Sequence, residues 1–224
     1  MTNTEHEVRA VLSRVEATLE TAKLGLEDLL DPSRARRMSG LRNLIAFGRS
    51  VTFVLQNLRS VASGFDEWYE PQQQALKADP LMRYFVDARN ELEKQGKLRV
   101  STSTRLHSFS QDDLRKLGKP PVGAKSFFIG DQLGGSGWEV ELADGSIEKY
   151  YVELPLSLVE VRQQFSNLPE ALAPDLRGAS VEQLSQRYIA RLTVLVTDAK
   201  DHFLGCQSPP QEKRVPPPYL RRIK

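Results

Sequence analysis

The feature that most constrains the fold is a long apolar stripe at helical spacing between residues 33 and 62. Its members recur in alternate steps of three and four residues: Leu41, Leu44, Gly48, Val51, Leu55, Leu58 and Ala62. On an α-helix this spacing places every member on one side, where it can pack against another helix. The stripe therefore predicts a central helix over about Ser33–Ala62, with neighbouring helices against it.

The rest of the chain contains further segments with helical apolar spacing, which predict helices over about 4–30, 65–78, 80–95, 157–168 and 180–204. Their starts carry recognisable signals. Asp79-Pro80 combines a capping carboxylate with a proline suited to the first turn. Ser157 with Glu160, and Ser180 with Gln183, have the spacing of a capping box.

A different pattern occupies the middle of the chain. Leu98–Phe109 alternates weakly, as an edge strand or an extended loop does. Trp138, Val140 and Leu142 alternate with glutamates, Asp144-Gly145 is a strong hairpin turn signal, and Ile147–Leu154 follows as a second strand. We expect this small hairpin segment to pack on the helices, because it cannot be stable alone.

These patterns predict a mainly α fold: an antiparallel bundle of about five or six helices with an inserted β-hairpin segment. The expected parts are a first helical part over 1–97, the β-containing insert over 98–155, a second helical part over 156–206 and a disordered, basic, Pro-rich tail over 207–224. The tail contains a Pro-Pro-Pro-Tyr segment, which is either linker composition or a ligand for a WW-type reader domain. No apolar run is long enough for a membrane span and the start is polar, so we expect a cytoplasmic protein.

The sequence offers little for metal or cofactor chemistry. The histidines His6, His107 and His202 are scattered, and Cys206 is the single cysteine. The glycine-rich loop over 130–137 is followed by Trp138 and a strand, whereas a phosphate-binding loop opens a helix with Gly-Lys-Ser/Thr. We therefore expect no metal, no cofactor and a flexible turn at this loop.

One doublet stands out among the polar residues. Arg-Asn occurs at Arg42-Asn43 and again at Arg89-Asn90, both times within an apolar helix stripe, and Arg49 follows Arg42 by two helical turns. Two interpretations stay open. The arginines either form an interhelical ion-pair network with carboxylates such as Glu93, or they gather unpaired positive charge for phosphate binding.

The segment Asp79–Lys94 resembles the active helix of HEPN proteins, helical-bundle proteins of prokaryotic defence, toxin–antitoxin and RNA-processing systems. Their signature is an Arg, often followed by Asn or Asp, with a His one to two turns later. Arg89 and Asn90 match its start. In active members the Arg and His act in metal-independent RNA cleavage, usually across a dimer. Residues 94–96, Lys-Gln-Gly, stand where the His would be, so the resemblance implies a non-catalytic member.

We therefore expect a non-enzymatic, HEPN-like protein that binds RNA or a cognate protein in a bacterial defence or toxin–antitoxin system, with a homodimer formed through the helical bundle. The candidate binding residues are Arg42, Asn43, Arg49, Arg89, Asn90 and Glu93. Two alternatives remain open. One is a helical adaptor that does not bind nucleic acid, and the other is an atypical metal-independent ribonuclease in which Lys94 or His107 replaces the missing His.

Overall fold

The computed structural model describes residues 3–107, 112–113 and 119–205, so Cys206 and the predicted tail over 207–224 lie outside the described residues. Within them, the fold is mainly α-helical with a β part. The helices are α1 (Asn3–Leu30), α2 (Arg37–Leu55), α3 (Phe65–Ala78), α4 (Pro80–Gln95), α5 (Pro174–Arg177) and α6 (Val181–Leu204). A 3-10 turn over Gln56–Ser60 continues α2.

The predicted central stripe lies in the core. Five of its members are fully buried: Leu41, Leu44, Val51, Leu55 and Leu58. Helix α2 contacts α1, α4 and α6, as expected for a helix with neighbours on more than one side. It crosses α1 closely because two glycines face each other there, and a Cβ built on Gly25 would lie 2.7 Å from the carbonyl oxygen of Gly40.

Helix α2 is shorter than the predicted Ser33–Ala62. Its start is delayed because the Asp31 carboxylate accepts the Ser33 N–H at 2.8 Å, which makes a turn instead of a helical start. Arg34 then has a φ of +56°, in the left-handed region that a right-handed helix excludes. By contrast, α4 begins as predicted, with the Asp79 carboxylate accepting the N–H groups of Leu81 and Met82.

Among the described residues, five strands form two small antiparallel sheets: β1 (Val100–Leu106), β2 (Ala124–Ile129), β3 (Ser136–Glu141), β4 (Ile147–Val152) and β5 (Val159–Phe165). One sheet pairs β1 with β5, and the other has the order β2-β3-β4. The predicted hairpin is confirmed as β3 and β4, and Gly145 takes a φ of +82° in its turn. The β part is therefore larger than one hairpin.

The predicted helix over 157–168 is wrong, because this segment is strand β5. Val159, Gln163 and Phe165 are buried on one side of the strand, while Arg162 is exposed. This alternation of buried and exposed side chains is typical of a strand with one buried face. Strand β1 pairs with the segment along its whole length and supplies its backbone hydrogen bonds, in place of the predicted helix with its capping box. Strand β5 thus falls inside the segment 156–206 that was expected to be helical.

A buried arginine connects the helices to β5. Arg37 donates to the carbonyl oxygen of Leu29 at 2.7 Å and to Oε1 of Gln163 at 2.8 Å, and it forms an ion pair with Glu182. One guanidinium thus joins α1, α2, β5 and α6. A buried charge needs such complete pairing, since leaving it unpaired would be costly.

The glycine-rich turn between β2 and β3 joins the three-stranded sheet to the rest of the fold. Arg34 donates to the carbonyl oxygen of Leu133 at 2.6 Å, and Gln163 donates to that of Gln132 at 3.0 Å. Asp131 accepts backbone N–H groups inside the turn. The turn that was predicted to be flexible is therefore held by two side chains from outside it, Arg34 and Gln163, and by Asp131 within it.

Candidate functional site

The outer side of α2 carries arginines at two-turn spacing. Seven residues separate Arg42 from Arg49, which corresponds to about 10.5 Å along the helix axis. Arg42 is exposed and has no ion-pair partner within the part of the chain that the structure describes. Asn43 is also exposed but points towards α1, with its Cβ only 3.2 Å from where a Cβ on Gly25 would lie. The structure therefore separates Asn43 from the two arginines.

Arg49 and Arg89 meet at the ring of Phe53. The guanidinium carbon of Arg49 lies 4.1 Å from the ring centre, and that of Arg89 lies 5.9 Å from it. Phe53 is 47% exposed, so the ring is a surface feature between α2 and α4. Arg49 is held in place by a hydrogen bond to the hydroxyl of Thr52. Both arginines are within the range of a cation–π interaction with this ring.

Arg89 has its carboxylate partner on its own helix. It pairs with Glu93 at 2.7 Å, and a longer hydrogen bond of 3.4 Å reaches Oδ1 of Asn90. The Nε atom of Arg89 is buried and has no hydrogen-bond partner among the described residues. The interhelical ion-pair network considered from the sequence does not form around Arg89, because Glu91 pairs with Arg99 instead.

We call this surface the α2–α4 face and define it by Arg42, Arg49, Phe53 and Arg89. Asn90 and Glu93 flank it on α4. The sequence analysis did not single out Phe53, although a signal was present. Residues 32–65 contain six arginines, no lysine and no acidic residue. Arg36, Arg37 and Arg59 pair with carboxylates, which leaves Arg42 and Arg49 on the outer side of α2 without a carboxylate partner among the described residues. Positive charge of this kind on one helix attracts polyanions.

A cleft adjoins the face where α2, α3, α4 and α6 meet. Its volume is about 290 Å³, and Arg49 stands at its boundary with the face. Lys77 of α3 and Arg83 of α4 line it, with Asp87 as the single carboxylate in the lining. These cleft residues were not predicted from the sequence, because the apolar stripes of α3 and α4 dominate the sequence pattern there.

Two tyrosines form part of the cleft wall. Tyr188 stacks on Phe85 with ring centres 4.0 Å apart, and it fits against α2 because Gly48 has no side chain there. Burial raises the pKa of the Tyr188 hydroxyl above its ordinary value, while the charge of Arg49 acts in the opposite direction. Burial likewise raises the pKa of Tyr69, again against the charge of Arg49. Both hydroxyls therefore stay protonated at neutral pH and can serve as hydrogen-bond groups.

The histidines do not come together with these arginines to form a catalytic arrangement. His202 stacks on Trp68 at 5.8 Å, and His107 donates its backbone N–H to the carbonyl oxygen of Leu158. The described residues contain no group of three or more His, Cys, Asp or Glu side chains placed to hold a metal ion. None of the described helices combines the length and apolar character that crossing a bilayer requires. The arrangement is suited to electrostatic binding.

Comparison with known proteins links part of the chain to a phage protein. Residues 12–111 match the family model described as bacteriophage lambda protein ea47. Protein ea47 of Escherichia phage lambda is 31% identical over 95 residues, which are 41% of this chain and 23% of that protein. The chain thus covers less than a quarter of the length of this relative. No solved structure matches the chain.

This finding overturns the resemblance to HEPN proteins. The family model that matches the segment containing Arg89 and Asn90 is that of the ea47 family, and neither comparison gives evidence for a HEPN family. The physical reason for the wrong assignment is that an Arg-Asn pair on a helix is a short pattern. Here its arginine is paired with Glu93 one turn away and packed beside Phe53. The region of similarity begins within α1 and includes all of α2, α3 and α4, and therefore the whole α2–α4 face.

Proposed function

We propose that this protein binds single-stranded RNA across the α2–α4 face. The observation that carries the proposal is the convergence of two guanidinium groups, from Arg49 and Arg89, on the exposed ring of Phe53. Arg42 extends the positive charge along the same side of α2. The defence or toxin–antitoxin setting was inferred from the HEPN resemblance and forms no part of this proposal.

The chemistry of the face matches that of an unpaired strand. Proteins that bind single strands combine positive charge, which follows the phosphates, with aromatic rings on which bases stack. Guanidinium planes also stack on bases and bind phosphate oxygens in a bidentate way. Because Arg42 is exposed and has no described carboxylate partner, its charge is available to a phosphate.

The binding assay is fluorescence anisotropy with a labelled single-stranded RNA, repeated between 50 and 200 mM salt, which are roughly the limits between which phosphate contacts lose affinity steeply. We expect log affinity to fall linearly with log salt, with a slope near −0.7 for each phosphate contacted, or about −2 for three arginines. Single-stranded DNA of the same sequence tests the role of the 2′-hydroxyl, and duplex RNA tests the need for unstacked bases. A tight complex whose affinity does not change with salt concentration, or the absence of any complex at low salt, would refute RNA binding through these arginines.

A second candidate is an adaptor that binds a protein partner through the opposite edge of α2. Phe47 is 39% exposed there, and Leu24 on α1 is 52% exposed. Exposed apolar side chains of this size favour a protein interface where they form one patch. Unlike RNA binding, such an interface should respond little to salt. Loss of partner capture in a Phe47→Ser variant that still binds RNA would separate the two surfaces.

A further inference from the structure

We propose that the cleft between α2, α3, α4 and α6 is a separate binding site for a small phosphate monoester, of about the size of one nucleotide. The cleft adjoins the α2–α4 face but has its own charged residues, Lys77 and Arg83, and shares only Arg49 with the face. The inference goes beyond the proposed RNA binding, because it concerns a discrete small-ligand pocket instead of an extended surface.

The charge balance in the cleft favours an anion. Three cationic side chains, from Arg49, Lys77 and Arg83, line it together with a single carboxylate, that of Asp87. Lys77 donates to the side-chain oxygen of Gln73 at 2.8 Å, which leaves its charge uncompensated by a carboxylate. Neither Lys77 nor Arg83 has an ion-pair partner within the described ranges. Side chains that already stand together without carboxylate partners need little rearrangement to bind a phosphate.

The volume and walls limit the ligand to a compact molecule with an apolar portion. At about 290 Å³ the cleft lies at the lower end of small-ligand pockets. Its wall contains Leu76, Met82, Val86 and Leu192, and the buried Tyr188 closes one side. The hydroxyl of Thr52 and the amides of Gln56 and Gln73 add uncharged polar groups to the lining, and each of them already takes part in a hydrogen bond within the fold. A suitable ligand would place its phosphate near the three cationic side chains and a ring or short carbon chain against the apolar wall.

The test is isothermal titration of the purified full chain with adenosine 5′-monophosphate, adenosine and inorganic phosphate. We expect the monophosphate to bind and adenosine to bind at least tenfold more weakly, since it lacks the charge-assisted hydrogen bonds. Lys77→Ala and Arg83→Ala are each expected to weaken monophosphate binding about tenfold. Both residues are exposed, so unchanged melting temperatures are expected to accompany these losses. Arg187→Ala, at an exposed arginine outside the cleft, is the matched control.

A gain-of-affinity variant makes the assignment stricter. Asp87→Asn removes the single carboxylate of the cleft, and we expect it to strengthen monophosphate binding by several fold, because one repulsive charge is lost. A merely structural role for Asp87 would not produce this gain. No heat of binding for the monophosphate, or equal binding by wild type, Lys77→Ala and Arg83→Ala, would overturn the proposal.

Two further measurements identify the source of the phosphate and separate this site from the face. Competition by an RNA oligomer that carries a 5′-phosphate, but not by the same oligomer without it, assigns the cleft to a strand end. Competition by neither oligomer assigns it to free nucleotides. Arg42→Ala should reduce RNA binding and leave monophosphate binding unchanged, because Arg42 belongs to the α2–α4 face and does not line the cleft. The RNA proposal and the cleft proposal can thus fail independently.

Discussion

Arg37 of α2 and Glu182 of α6 form an ion pair across 145 positions of sequence, and the side chain of Arg37 is only 3% exposed. The same guanidinium also binds the carbonyl oxygen of Leu29 and the amide oxygen of Gln163. The attachment of β5 to the helices therefore includes one fully engaged buried cation.

Replacing this cation should be strongly destabilising. In Arg37→Ala, the carboxylate of Glu182 and the polar groups of Leu29 and Gln163 lose their common donor. We expect the free energy of unfolding to fall by about 3–5 kcal/mol, as when one member of a buried pair is removed. Chemical denaturation measures this loss. The double variant Arg37→Met with Glu182→Leu should lose less than Arg37→Ala alone, and an equal or larger loss in the double variant would contradict the explanation.

Lowering the pH should weaken the ion pair between Arg37 and Glu182. Burial acts to raise the pKa of Glu182, but the charge of Arg37 and the hydrogen bonds from Ser180 and the backbone outweigh it and hold the pKa below its ordinary value. When the pKa of a carboxyl group is lower in the folded than in the unfolded protein, its ionised form stabilises the fold. This stabilisation is fully present at pH values above the unfolded-state pKa. That contribution is lost as pH falls through the folded value. Denaturation at a series of acidic pH values should show a steeper decline for wild type than for Glu182→Gln, and parallel declines would exclude this carboxylate as a cause.

The close crossing of α1 and α2 should not tolerate a methyl group. A Cβ on Gly25 would lie 2.7 Å from both the Gly40 oxygen and the Leu44 nitrogen, which are backbone atoms that cannot move aside. Alanine improves helix propensity by about 1 kcal/mol relative to glycine, so an exposed site would gain stability. We expect Gly25→Ala to lose about 1–3 kcal/mol through overpacking instead. Thermal denaturation compares it with Gly178→Ala, where a Cβ meets nothing within 4 Å. Equal melting temperatures for the two variants would contradict the close crossing.

Much of the helical fold could be predicted because its signals are local. The stripe from Leu41 to Leu58 predicts a buried central helix, and Asp79-Pro80 predicts the start of α4. Both depend on residues within a few turns of each other. The segment that became β5 could not be assigned correctly, since its apolar residues fit helical spacing as well as alternation. Its strand character depends on pairing with β1, about 60 residues earlier by the order of the chain.

The site could be predicted only in part, for a similar reason. The arginine line on α2 follows from spacing, and the sequence left open that these arginines gather positive charge. Phe53 was missed because its exposure depends on how α2 and α4 pack, which the sequence pattern does not define. The pairing of Arg37 with Glu182 joins α2 to α6, and no short-range sequence motif predicts it. The predicted homodimer stays a prediction.

The most direct test of RNA binding by the α2–α4 face is the affinity of Phe53→Ala for a single-stranded RNA at fixed low salt. Base stacking on an aromatic ring contributes roughly 1–3 kcal/mol, so we expect binding to weaken about tenfold. The melting temperature should change little, because Phe53 is 47% exposed. Arg49→Ala should weaken binding and reduce the salt slope, while the control Arg187→Ala should not change the affinity by more than a small factor. If Phe53→Ala binds the RNA as tightly as wild type, the face is not the RNA-binding surface and the proposed function is wrong.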